Sequence, residues 1–154
     1  MNIHDGHGST RLSQCIILVR LMVGVVFLSE GIQKFLFPDV LGVGRFIKIG
    51  IPVPEFSAPF VGAVEVVCGT LILVGLITRL ASVPLIIDML VAISTTKIPI
   101  LLEKGLWAMA HETRTDWSML LGAIFLLLVG GGRWGMDAVI SKGKVDRNQM
   151  RGGM

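Results

Sequence analysis

Six ionisable side chains, Arg20, Glu30, Lys34, Glu65, Asp88 and Lys97, stand inside stretches of sequence that are otherwise apolar. Three are bases and three are acids, so they can neutralise one another. Where such groups occur within apolar spans they pair, line polar pathways or relay protons. The clearest case is "SEGIQKFLFP", residues 29–38, in which Glu30 precedes Lys34 by four residues, the favourable acid-first order for one helical turn. On a helix Arg20, Gly24, Phe27, Gly31 and Lys34 share one narrow face, with Glu30 at its edge. Gly62, Glu65 and Gly69 form a similar stripe further along. Each stripe joins charge to glycine, and glycine lets helices approach closely in lipid. The expected cluster is therefore Glu30, Lys34 and Glu65, with Lys97 as a fourth candidate. Arg20 and Asp88 are secondary polar candidates. Asp88 and Lys97 are nine residues apart, which puts them on opposite faces of one helix unless Pro84 and Pro99 bend it. Lys97 and Arg20 have a second option, to snorkel toward water. The cluster itself has three open readings: an ion-pair lock that fixes register, a ligand or proton site, and charges that only snorkel.

The elements that must position these groups follow from hydropathy. Of 154 residues, 53% are hydrophobic and 16% charged, and the mean hydropathy is +0.76. A soluble domain carries about 25% charged residues, so the composition is that of a membrane protein. About 20 apolar residues span a bilayer. The stretches 15–37, 56–77 and 80–102 meet that length. A fourth, 117–129, is short and continues weakly past the glycines to 140. The expected fold is an all-α, integral membrane four-helix bundle: a polar N-terminal tail 1–14, a membrane domain 15–140 and a basic tail 141–154. A tight turn around Gly75–Arg79 joins spans two and three. The connection "DVLGVGRFIKIGIPVPE" is expected in the membrane interface, as is "EKGLWAMAHETRTD" with its Trp107. Thr113 and Asp116 suggest a capping-box start for span four. Arg11, Arg79, Arg133, Lys142, Lys144, Arg147 and Arg151 fall on one side, against Arg45, Lys48, Lys104 and Arg114 on the other. That asymmetry places both termini in the cytoplasm. The first stretch is too long for a signal peptide and is expected to be retained.

Other chemistries find little support. Cys15 and Cys68 lie in separate apolar runs with no CxxC, and they suit small apolar helix positions better than thiol exchange. His4, His7 and His111 all lie outside the spans, so no axial haem ligand is evident and no metal site is expected. No HExxH, GxSxG or phosphate loop occurs. The net charge of +3 is spread along the chain and leaves no nucleic-acid footprint.

Three motifs in order are familiar. "RLMVGVVFLSEGIQKFLFP" resembles the first span of the DoxX family. "EVVCGTLILVGLITRLA", with Glu65, Gly69, Gly75, Thr78 and Arg79, is similar to its Glu-bearing second span and Gly-x-x-Thr-Arg turn. "GGGRWGMDA" resembles its closing Gly-x-Gly-Arg-aromatic-Ser-x-Asp motif, with Gly135 in place of the serine. The resemblance covers about Arg20 to Asp137. It implies a four-helix integral membrane protein, associated in some family members with quinone-linked membrane oxidoreductases and in others with oxidative-stress handling. On that basis the expected function is a quinone-interacting or anchoring subunit of an inner-membrane oxidoreductase complex. Its environment would be the lipid bilayer, its ligand a quinone, and its partners the other subunits of the complex. The alternative is a small membrane transporter or a non-catalytic membrane scaffold using the same polar cluster.

Overall fold

A computed structural model of the chain describes residues 5–132 and 134–136. His4, Arg133, Asp137 and the basic tail 141–154 lie outside the described residues. The described chain is helical throughout: α1 (Asp5–Leu36), α2 (Val43–Lys48), α3 (Pro54–Val74), α4 (Thr78–Lys104) and α5 (Leu106–Val129). Among the described residues three helices are long and apolar enough to cross a membrane, at Ser13–Leu36, Pro54–Val74 and Thr78–Lys104. They coincide with the three long apolar runs of the sequence.

Local chemistry sets the helix ends. α1 stops just before Pro38, whose ring disfavours helical geometry in the residue preceding it. α3 opens on Pro54, suited to a first helical turn where no intrahelical donor is needed. It closes at Gly75, which takes a left-handed φ of 70°. The Gly75 N–H donates to Ile72 O and the Leu76 N–H to Leu71 O, the paired bonds of a Schellman motif. Only three residues then separate α3 from α4.

The start of α5 differs from expectation. The polar segment before Trp117 is not an interfacial loop. α5 begins directly after Gly105, the single residue between it and α4. Beyond Gly105 the segment "LWAMAHETRTD" has no proline or glycine and is rich in good helix formers, so nothing interrupts the helix. Thr113 does not cap it. It is fully buried inside α5, and its hydroxyl donates to Met109 O at 2.6 Å. At the other end of the chain the backbone is already helical from Asp5, within the segment expected as a polar tail.

The four long helices pack as two close pairs, α1 with α3 and α4 with α5. The α3–α4 turn and a lighter α1–α5 contact join the pairs. Glycine makes the first pair close. A Cβ on Gly31 would lie 2.7 Å from Gly62 O, and one on Gly69 would lie 3.0 Å from Gly24 O. The two stripes thus face each other backbone to backbone, with Gly31 level with Gly62 and Gly24 level with Gly69. Phe27, Ile72, Leu85, Leu126 and Val23 fill the centre, each fully buried. Outside, Leu18, Val25, Phe60, Val67, Leu80 and Leu121 are exposed, as lipid-facing positions are.

The end of the bundle near Gly75 is pinned by two arginines. Arg20 is 5% exposed and does not snorkel. Its guanidinium donates to Ile72 O at 2.9 Å, Leu73 O at 2.7 Å and Gly131 O at 3.1 Å. It thereby satisfies carbonyls left over at the C-terminus of α3, where a cation also meets the negative end of the helix dipole. It also ties α1 to the segment after α5. Arg79 does the same for α5, donating to Leu128 O at 2.9 Å. The Gly-x-x-Thr-Arg turn and the glycines after α5 are thus parts of one knot: the Thr78 hydroxyl oxygen lies 2.7 Å from where a Cβ on Gly131 would stand.

Candidate functional site

At the opposite end, where α1 stops and α3 starts, the two pairs enclose a cavity of about 270 Å³. That is near the lower edge of the roughly 300–1,000 Å³ usual for small-molecule sites. α1 contributes Phe27, Glu30 and Lys34; α3 contributes Ser57, Val61 and Glu65; α4 contributes Asp88, Met89, Ala92, Thr95 and Thr96; α5 contributes Asp116 and Met119. The connection through α2 lies over it, with Leu41, Arg45, Phe46, Ile49 and Ile51 in the wall. This segment was expected at the membrane interface. Phe46 is buried against the bundle, while Val40, Ile47 and Val53 remain exposed.

Lys34 Nζ lies 2.6 Å from Glu65 Oε2, with the two side chains 13% and 3% exposed. Their meeting follows from helix geometry. Since Gly31 is level with Gly62, Lys34 is level with Pro59, six residues from Glu65 along α3. That axial offset is about 9 Å. Side chains lean toward the N-terminus of their own helix. In an antiparallel pair Lys34 and Glu65 therefore lean toward each other, and the long lysine stem closes the gap.

Asp88 reaches the same place from α4, with its carboxyl within hydrogen-bonding reach of Glu65 and under the influence of both Lys34 and Glu30. Glu30 is exposed, at the cavity mouth. Lys97 turns the other way: its Nζ lies 3.1 Å from Asp116 Oδ2, tying α4 to α5, and it does not line the cavity. Asp88 was a secondary candidate and Lys97 the fourth candidate of the cluster. They do lie on different faces; the cavity faces Asp88, and Lys97 touches it only through Asp116. Arg20 is far from it, at the pinned end.

Sequence reasoning missed Arg45 and Asp116. Asp116 carried a readable signal: Thr113, Asp116, Met119, Ala123 and Leu126 recur every three or four residues, so the inward face of α5 extends upstream of Trp117. Arg45 had none, since nothing local says which way a short connecting helix turns. Among the described residues no three His, Cys, Asp or Glu side chains gather as metal ligands. The cavity does fit the head ring of a lipid-soluble aromatic. Its walls are mostly apolar, and its polar groups converge from several helices.

Comparison with known proteins agrees with the motifs. The DoxX family model matches residues 15–98. A Mycobacterium tuberculosis protein named "Uncharacterized membrane protein Rv3486" is 58% identical over 133 residues, 82% of each chain. A Bacillus subtilis protein named "Putative oxidoreductase CatD" is 29% identical over 132 residues, 86% of this chain and 91% of its own. No solved structure matches. The facing glycine stripes, the turn at Gly75 and the Lys34–Glu65–Asp88 group all fall inside the matched residues, and the chain belongs to the DoxX family of membrane proteins.

Proposed function

We propose that this chain is a four-span inner-membrane subunit of a membrane oxidoreductase and that the cavity beneath α2 receives the head ring of a quinone. The observation that carries this reading is the cavity itself, mostly apolar-walled and covered by α2, with a buried base and two acids converging from α1, α3 and α4. The oxidoreductase name of the Bacillus subtilis relative supports it. A quinone accepts electrons and protons together when reduced. Here Glu65 and Asp88 would hold or pass the proton at the ring, Lys34 would keep Glu65 in place, and exposed Glu30 would connect the pair to water. The chain would anchor this site for partner subunits that handle the electrons.

In the proposed topology α5 is the fourth span. The Gly75 end, with both termini, faces the cytoplasm, and α2 faces outward. The excess of Lys and Arg on the terminal side supports that orientation. Side-specific reporters fused to the C-terminus and inserted after Lys104 check it. The first is expected to report cytoplasm and the second the outside. The reverse result overturns the orientation.

The function is tested by purifying the protein in mild detergent and identifying bound lipids by mass spectrometry. A stoichiometric quinone is the expected result. In membranes carrying the partner complex, Glu65→Gln is expected to assemble normally, because Asp88 remains as a counter-charge for Lys34, and to lose quinone-linked turnover at least tenfold. Full turnover in this variant and in Glu30→Gln rules out proton relay at this site. Solute flux in liposomes, without bound quinone, would favour a transporter.

A further inference from the structure

α1 and α5 do not stay together along their whole length. They run antiparallel and touch toward the Gly75 end: a Cβ on Gly132, just past α5, would lie 3.2 Å from Ile16 Cγ2, and one on Gly122 would lie 2.6 Å from Val23 Cγ2. Val19, Val23, Val26 and Glu30 recur at steps of four, three and four, so they share the face of α1 that meets α5. Thr115 stands seven residues before Gly122, two turns along the same face of α5. Counted from the Val23–Gly122 contact toward α2, Glu30 and Thr115 are each seven residues on, about 10 Å, and are therefore level. Yet both are exposed, and both line the cavity. Facing residues that border the cavity and the outside at once mark a gap: beyond Gly122 the two helices have parted. The rim of the gap is polar at Glu30 and Thr115. One turn deeper it is apolar, at Val26 and Met119, which also line the cavity. At its end the cavity is covered by α2, whose Phe46 is buried.

A cavity of about 270 Å³ takes a head ring but has no room for a long hydrocarbon tail as well. Resting on the reading of the cavity as a quinone site, we infer that the ligand enters sideways from the bilayer through the gap between α1 and α5, and that its tail stays in this gap once the ring is seated. The ring oxygens pass a carboxylate and a hydroxyl, Glu30 and Thr115. The tail leaves over Val26 and Met119 toward the exposed Met22 and Leu121. A polar rim above an apolar sill matches a polar ring on an apolar tail, and the tail keeps its contact with lipid throughout. The ligand class is then a ring carried on a long hydrocarbon tail and drawn from the membrane. One other lining valine is exposed, Val91 of α4, and counted from the Gly75 turn it is level with Val61 of α3. That rim is valine on both helices and offers ring oxygens no polar group to pass.

The test uses the full-length protein in lipid nanodiscs. The probes are decylubiquinone and the same ring on a long isoprenoid tail, and retention over empty nanodiscs is measured at equal probe concentration in the lipid. In Glu30→Cys combined with Thr115→Cys, bis-methanethiosulfonate linkers of increasing length bridge the gap. The same protein capped with methyl methanethiosulfonate, and each single variant treated with the linkers, are the references. Bridging is expected to slow both uptake and release of decylubiquinone at least tenfold and to leave its equilibrium retention within about threefold, which is the signature of a closed entrance and not of a damaged site. The two tails are expected to be retained within threefold of each other by the parent. Unchanged rates after bridging, or slowing only when Val61→Cys is bridged to Val91→Cys, overturn the entrance and leave the quinone reading standing. Failure of every linker to bridge Glu30→Cys and Thr115→Cys overturns the placement of the gap. Retention that falls tenfold with the longer tail overturns the gap as the seat of the tail. Retention of neither probe by the parent overturns both this inference and the quinone reading.

Discussion

Lys34→Ala is expected to cost about 3–5 kcal/mol of stability, because it leaves Glu65 as a buried acid without its counter-ion. Glu65 is 2% exposed, lies near the middle of α3, and has another acid, Asp88, beside it. Removing the cation in direct contact therefore exposes it to repulsion as well as to a desolvation cost. The result is read as a lower midpoint in detergent thermal unfolding and a lower yield of monodisperse protein. Lys34→Met combined with Glu65→Leu removes both charges and keeps volume, and is expected to recover part of the loss, with Asp88 left as the remaining acid. Replacing a whole buried pair by apolar residues is often neutral, whereas breaking one is not. A single variant as stable as the parent would mean that the pair holds nothing together. That outcome would leave the cavity unchanged as a binding site, so stability and ligand retention should be measured on the same preparations.

Arg20→Ala acts at the other end of the bundle and is expected to be at least as damaging in the same assay. The guanidinium holds carbonyls of Ile72, Leu73 and Gly131 at once. Hydrogen bonds to a charged group contribute about 1.5–3 kcal/mol each, so a loss of about 3 kcal/mol or more is expected. Arg20→Lys should restore only part of it, because a compact ammonium cannot span three acceptors as the planar fork does. Full stability in Arg20→Lys would show that charge at the α3 terminus matters and that the fork does not.

The long helices were legible because hydropathy in lipid is a strong constraint. Runs such as 15–37 and 56–77 leave few alternatives, and Pro38 and Gly75 mark their ends. The facing stripes were legible too, since glycine and charge recur at helical spacing on both α1 and α3. Less visible was where a polar residue points once its helix has a partner. Arg20 offered equal grounds for snorkelling and burial; only the position of the α3 C-terminus decides. Asp88 and Lys97 could be placed on different faces, but which face met the cavity depended on how α4 packs on α5. The start of α5 was hidden because the six residues before Trp117, "HETRTD", are polar, and hydropathy does not register a helix that borders water.

The placement of Lys34 also bears on biogenesis. Lys34 is two residues from the end of α1, while its partner lies in a helix made later. During synthesis α1 enters the bilayer before α3 exists. A lysine so near a helix end can keep its ammonium in water through the wait, since its stem reaches the boundary. Only when α3 docks, glycine against glycine, is the charge drawn down to Glu65. An α1 that has not found α3 thus still displays the Lys34 ammonium at the membrane surface, and that cation disappears from view when assembly of the pair is complete.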